Sequence, residues 1–334
     1  MNKLKICSFF AGVGGLDFGA HSLSDNYEFV FINDFNPAAV ETYKHNHPKN
    51  KDVVVCGDIK EFLEIIPDHD ILLGGFPCQS WSLAGLRRGF EDIRGLEVFS
   101  LSKTLYSKKP KYFIFENVKG ILSHNNGESI LTIVNSFREL GYKVHYELIK
   151  MINYGVPQKR ERVLFFGVRE DLNLDPKLMV PNKTSPGDLL TPTLNKITYP
   201  LGECNHNLHV STKVKQHWFK ILKEGENLYK LDPNLVKDRE TALGLEHVDI
   251  PKTQTGYRRI FGNQVAPTMM FGNNCIPIHP TEDRNLSVRE CATIQSFPLD
   301  FIFKGTLTDQ YKQVGNAVPP KFSEILFKHL LEVL

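Results

Sequence analysis

With 334 residues, 41% hydrophobic and 23% charged, the chain has the composition of a globular protein of about two domains and excludes a disordered or fibrous one. A formal net charge of +2 excludes a chain basic throughout, although a basic cleft can sit opposite an acidic surface. The six cysteines form no CxxC pair, which argues against a zinc or redox motif and for a reducing, cytoplasmic compartment.

The N-terminus superficially resembles a signal peptide, but glycines and Asp17 interrupt its apolar run and no small-residue cleavage site follows cleanly, so none is expected. The longest uncharged stretch, 71–86, is too short and too polar to span a bilayer. Strand-like runs at 4–10, 28–32, 53–55, 70–73 and 111–115 alternate with helix-like runs such as 37–47 and 129–140. That alternation predicts βαβ units and a largely parallel sheet. Two β-rich runs, 143–149 and 162–168, flank a Gly-Val-Pro turn and are placed to pair at one edge. Five prolines between 176 and 200 predict irregular surface, and 201–284 reads as a smaller unit of mixed or β character. Helices are expected over 288–295 and 320–334.

The most informative stretch is Gly74-Gly75-Phe76-Pro77-Cys78-Gln79-Ser80, which places a thiol where an apolar strand gives way to a turn. Open parallel sheets bind ligands outside the carboxyl ends of their strands, so Cys78 is placed as a nucleophile; a buried structural thiol is the alternative. Phe10-Ala11-Gly12-Val13-Gly14-Gly15-Leu16-Asp17 follows the first strand and allows close backbone approach to a ligand, but Asp17 stands where the dinucleotide fingerprint needs its third glycine. Asp34 ends the second strand, placed to accept from ribose hydroxyls or to serve the helix start before Pro37, and Phe35 offers an aromatic face for adenine. Asp58 can accept from an adenine amino group or cap the helix starting near Ile59. Glu116, after an apolar strand, is expected in an apolar setting where a carboxyl group keeps or shares a proton; an exposed loop Glu is the alternative. Arg160 and Arg162, on one face of a strand, suit phosphate or base-edge recognition, or form a solvated edge.

In this order, Phe10-Ala-Gly12-Val-Gly14-Gly15, Pro77-Cys78-Gln79, Glu116-Asn117-Val118, Gln158-Lys-Arg160-Glu-Arg162, Arg289-Glu290-Cys291 to Phe297-Pro298, and Gly315-Asn316-Ala317-Val318-Pro319 cover nearly the whole chain. The set resembles the DNA cytosine methyltransferases that act on carbon 5, as found in bacterial restriction–modification systems. The resemblance implies an α/β fold, a Rossmann-like S-adenosylmethionine-dependent methyltransferase sheet with a smaller target-recognition domain. The catalytic domain would span residues 1–170 plus 312–334, and the recognition domain 171–311.

It further implies that Phe10, Gly12, Gly14, Gly15, Leu16, Asp34, Phe35, Asp58, Ile59, Pro77, Asn316 and Val318 hold S-adenosylmethionine. Cys78 would be the nucleophile, Glu116 would hold the cytosine ring nitrogen and amino group, and Arg160 and Arg162 would support base and thiolate. Gln79, Ser82, Arg87, Arg88 and Thr268 would contact DNA, with 80–95 closing over an extruded base. No metal is implied. The partners would be double-stranded DNA and a cognate restriction endonuclease acting on the same site, with a monomer in the cytoplasm, nucleoid-associated through DNA. The chain departs from the family at Arg94-Gly95-Leu96-Glu97-Val98-Phe99, where the usual pattern is Arg-Gly-x-Leu-Phe and an apolar cofactor contact is expected near Glu97. Two other functions fit the same residues: a transfer-RNA cytosine methyltransferase of this fold, and a non-enzymatic DNA-binding relative, against which Cys78, Glu116 and Arg162 argue.

Overall fold

Strands in the first half of the chain are short apolar runs, and in the computed structural model they lie side by side in one sheet. The structure describes residues 2–76, 97–200, 202–207, 213–248, 258–269 and 276–334. Pro77, Cys78, Gln79, Ser82, Arg87, Arg88 and Arg94 lie outside the described residues, as does the side chain of Glu97. The chain divides into two compact units. The first comprises Met1–Tyr154, Glu161–Ser185 and Ala317–Leu334, the second Gly155–Arg160 and Pro186–Asn316. The sequence reading put these changes of unit at 171 and 312.

In the first unit, β1 (Leu4–Phe9), α1 (Phe18–Ser22), β2 (Tyr27–Asp34), α2 (Pro37–Asn46), β3 (Val54–Cys56), β4 (Ile71–Gly75), α3 (Glu97–Lys108), β5 (Tyr112–Val118), α4 (Glu128–Glu139), β6 (Tyr142–Lys150) and β7 (Glu161–Arg169) follow one another. The sheet order is β3-β2-β1-β4-β5-β7-β6. β1 to β5 are parallel, and β7 runs antiparallel to both β5 and β6, so the expected pair does close one edge. The chain leaves β1 in one direction to reach β2 and β3, then returns past it to β4 and β5. The carboxyl ends of β1 and β4 therefore flank a switch point, where open α/β sheets hold ligands.

β5 shows why this half is legible. Phe113, Ile114 and Phe115 are all buried, the near-continuous apolar run of a strand covered on both faces. Phe113 and Phe115 stack at 4.4 Å, with Phe137 of α4 edge-on at 5.1 and 5.4 Å. β5 runs three residues beyond the expected end and carries Glu116 and Asn117 within its register. α3 lies between two strands, where the alternation predicts a helix, and Val98, Leu101 and Leu105 are its buried apolar repeat.

In the second unit lie α5 (Leu190–Leu194), α6 (Lys213–Ile221), α7 (Pro233–Ala242), α8 (Val288–Ile294) and α9 (Leu307–Asn316). The expectation of mixed or β character over 201–284 is corrected. Its described residues form α6 and α7, with isolated bridges such as Arg259↔Ile278 in place of strands. Asp232 caps α7 by accepting from Asn234 N at 2.7 Å, with Pro233 at the first helical position. Trp218, Phe219, Leu222, Leu228 and Val236 form this region's core. The last helix, α10 (Pro320–Val333), belongs to the first unit and packs on α1.

Gly167 faces Phe113 across the β5–β7 ladder, and a Cβ there would overlap the phenyl ring. Gly167→Ala is expected to destabilise the protein by about 1–3 kcal/mol through overpacking, measured by urea unfolding.

Candidate functional site

The site residues of the first unit collect at the carboxyl edge of its sheet. β2 ends on Asp34, whose buried carboxylate is fastened twice: Gly12 N donates to Oδ2 and Asn36 N donates to Oδ1, each at 2.8 Å. Burial pushes this carboxyl group's pKa up, against the two backbone donors that favour its charged form. Asn36 in turn caps α2 through Ala38 N at 2.9 Å and Ala39 N at 3.2 Å. Asp34 thus ties the glycine turn after β1 to the start of α2. Asn33 beside it is also buried and donates to the Gly57 carbonyl at 3.0 Å, holding the segment that carries Asp58.

The glycines of the turn do different work. Gly12, at φ +56°, has open space where a side chain would stand, so its backbone can be approached closely. A Cβ on Gly14 would lie 2.8 Å from the Tyr43 ring, and one on Gly15 would meet the Val318 backbone. These two glycines serve packing. Phe10 also adopts a left-handed φ of +54°, a strained conformation for a phenylalanine. Leu16, Ile59 and Val318 are buried apolar side chains.

Beyond the turn, Phe35 leaves 71% of its surface exposed at the end of β2. Exposed Asp58, at the end of β3, accepts from Lys60 N at 3.0 Å and so caps the turn Ile59–Glu61. An open backbone at Gly12, a bare aromatic face at Phe35 and acceptor carboxylates at Asp34 and Asp58 are a set that fits a nucleoside such as that of S-adenosylmethionine.

Further along the same edge stand Glu116 and Arg162. Arg162 Nε lies 2.7 Å from Glu116 Oε1, and each side chain is only 12% exposed. Glu116 is therefore not isolated in an apolar setting, as its sequence context suggested, but held in an ion pair. Its cross-strand neighbour is Gly75, and a Cβ there would press to 3.3 Å from Glu116 Oε2, so a glycine leaves that oxygen room. Asn117 is buried and donates from Nδ2 to the Phe76 carbonyl at 3.0 Å, which fixes the chain at its last described residue before Pro77 and Cys78. Sequence spacing gives no sign of this contact, since only the register of β4 and β5 brings Asn117 to Phe76.

Arg160 departs from the expected strand. β7 begins at Glu161, so strand alternation does not relate Arg160 to Arg162, and Arg160 belongs to the second unit. There it is fully buried and donates to the Asn316 carbonyl at 3.4 Å, at the end of α9. In the same unit, Thr268 donates to the Lys159 carbonyl at 2.7 Å, and Lys159 N donates to the Ala266 carbonyl at 2.8 Å. The motif from Arg289 to Pro298 is a scaffold. Buried Arg289 donates to the carbonyls of Cys204 and Pro298, each at 2.9 Å, and to that of Phe301. Glu290 closes a capping box with Ser287 and takes the Arg284 fork, both contacts at 2.8 Å. Among the described residues no cluster of His, Cys, Asp or Glu could hold a metal ion, and no helix is long and apolar enough to cross a membrane.

The family model for C-5 cytosine-specific DNA methylases matches residues 4–332. The chain belongs to this family. It is 36% identical to the Type II methyltransferase M.NgoFVII of Neisseria gonorrhoeae, over 99% of this chain and 87% of that protein. It is 34% identical to the Type II methyltransferase M.FnuDI of Fusobacterium nucleatum, over 99% and 95%. A mutant of Spodoptera frugiperda DNMT2 shares the fold with a TM-score of 0.64 at 16% identity, over 98% of this chain and 100% of that one. This C-5 cytosine methylase is therefore an enzyme, a DNA methyltransferase, with the sheet expected of its family.

Removing one partner of the Glu116–Arg162 pair leaves a poorly solvated charge. Arg162→Ala is expected to destabilise the enzyme by about 3 kcal/mol in urea unfolding, and pairing it with Glu116→Gln is expected to recover most of that loss.

Proposed function

We propose that the enzyme methylates carbon 5 of one cytosine within a specific duplex DNA sequence, as the modification activity of a restriction–modification system. The observation that carries this reading is the collection, at one sheet edge, of the Gly12–Asp34–Phe35 group and the Glu116–Arg162 pair, beside the strand whose chain continues into Pro77 and Cys78. Full-length similarity to Type II methyltransferases supports both the restriction–modification setting and a cognate endonuclease partner. In this reading Phe35 stacks on adenine, Asp34 and Asp58 accept from the nucleoside, and Gly12 lets the backbone come close. Bound S-adenosylmethionine supplies a methyl group activated on a sulfonium.

The rest is the work of the enzyme's own residues. Cytosine carbon 5 is a weak nucleophile while the ring is conjugated. Addition of the Cys78 thiolate to carbon 6 breaks that conjugation and makes carbon 5 enamine-like; loss of the carbon 5 proton and expulsion of the thiolate later restore the ring. Glu116, oriented by Arg162, accepts from the amino group through one oxygen and, protonated on the other, donates to the ring nitrogen and so offsets the negative charge that develops there. The base is reached only outside the stack, at a cost of a few kcal/mol. Arg160, Thr268 and Asn316 keep the roles that the family resemblance implies for them, with the enzyme acting as a monomer.

Radiolabel from S-adenosylmethionine is expected to enter duplex DNA as 5-methylcytosine at one sequence context. Transfer to transfer RNA alone, or to neither nucleic acid, would overturn this reading. Cys78→Ser is expected to lower turnover at least a thousandfold with cofactor affinity near normal, read by single-turnover assay and calorimetry. Asp34→Ala should instead weaken cofactor binding first.

A further inference from the structure

Behind the glycine turn lies a buried polar chain that the proposed chemistry does not use. Asp17 follows the turn, at the start of α1, and is almost wholly buried. Ser8 of β1 donates to its Oδ1 and Tyr43 of α2 donates to its Oδ2, each at 2.8 Å. His21 Nε2 lies 2.6 Å from the same Tyr43 hydroxyl. That hydroxyl has one proton, and it is directed at Asp17, so His21 must donate from Nε2. The His21 ring is stacked between Phe29 at 4.3 Å and His47 at 3.9 Å. Burial lowers the pKa of His21 well below the ordinary range and brings His47 to about 4, so both imidazoles are neutral at working pH.

This chain ends against the turn itself. The Tyr43 ring is the surface that a Cβ on Gly14 would strike at 2.8 Å. Gly14 N donates to the Ala11 carbonyl and Gly12 N to Asp34, so the segment resting on Tyr43 is the one whose open face is at Gly12. We infer that Asp17, Tyr43 and His21 are positioning residues for the nucleoside cofactor: they lock the Tyr43 ring as the floor of the glycine turn and thereby set cofactor affinity without touching the ligand. The inference rests on the cofactor site proposed above. Ionised Asp17 accepts from both hydroxyls; once protonated it donates from one oxygen, and the Tyr43 or Ser8 hydroxyl facing that oxygen must turn its own proton away and accept instead. Burial raises the Asp17 pKa to about 6, which puts this change within reach of a titration. The groups facing Asp17 are Ser8 from β1, Tyr43 from α2 and, through Tyr43, His21 and His47. α10 contributes the Ser323 hydroxyl, which donates to the Leu16 carbonyl and accepts from Gly19 N.

The test is calorimetric binding of S-adenosylhomocysteine to the full chain and its variants, with thermal unfolding as a check that each is folded. Tyr43→Phe keeps the ring and removes the lock. It is expected to weaken binding three- to tenfold and to raise KM for S-adenosylmethionine but not for DNA. From pH 7.5 to 5.5 the unaltered enzyme should lose affinity through an inflection near 6 that Asp17→Asn lacks, while Asp34, common to both, titrates alike. Should Tyr43→Phe not fold, Asp17→Asn carries the test alone. If Asp34→Ala weakens binding and neither Tyr43→Phe nor Asp17→Asn does, the positioning role is overturned and the cofactor site stands. If Asp34→Ala leaves binding unchanged, the cofactor site itself is wrong.

Discussion

One buried carboxylate holds together the part of the molecule proposed to receive the cofactor. Asp34 gives one oxygen to the amide of Gly12 and the other to that of Asn36, so a single side chain at the end of β2 sets both the turn leaving β1 and the entry into α2. A charge in so dry a place is costly, and the two backbone donors offset that cost. The arrangement leaves most of the neighbouring Phe35 ring exposed, which is what a stacking platform requires. Local rigidity and ligand access are thus produced by adjacent residues of one strand end.

A division of labour runs through the glycine turn as well. Three glycines close in sequence look equivalent, yet only Gly12 faces open space. Gly14 makes way for the Tyr43 ring and Gly15 for the Val318 backbone. A motif commonly read as ligand contact is therefore in large part a packing motif, and its tolerance to substitution should follow the protein atoms behind it. The Arg289–Pro298 segment makes the same point in the second unit. Its arginine, glutamate and glutamine are spent on carbonyls, a helix cap and the Gln158 side chain.

Much of the first unit was legible because its strands are short apolar runs separated by amphipathic helices, and that alternation has few spatial solutions. The residues proposed to face the nucleoside were found by the same route, since the end of a strand is marked by where the apolar run stops. Other features depend on geometry no spacing encodes. Glu116 and Arg162 meet only because β7 is inserted antiparallel beside β5. Alternation linked Arg160 to Arg162, but the strand starts one residue too late for Arg160 to belong to it. Across 201–284 the periodicity is too weak to separate helix from strand, and the Asp232-Pro233 cap is the clearest helix signal there.

The helix 320–333 seals the face of α1 on which Gly19 sits, with Ser323 Oγ accepting from the Gly19 amide at 2.8 Å and no room for a larger residue at 19. During synthesis on the ribosome, α1 leaves the exit tunnel long before its cover is made. The unit that carries the glycine turn therefore has to wait, partly open, while the second unit is translated, and a nascent chain stalled before residue 320 would be a substrate for chaperones and proteases in place of a functional enzyme.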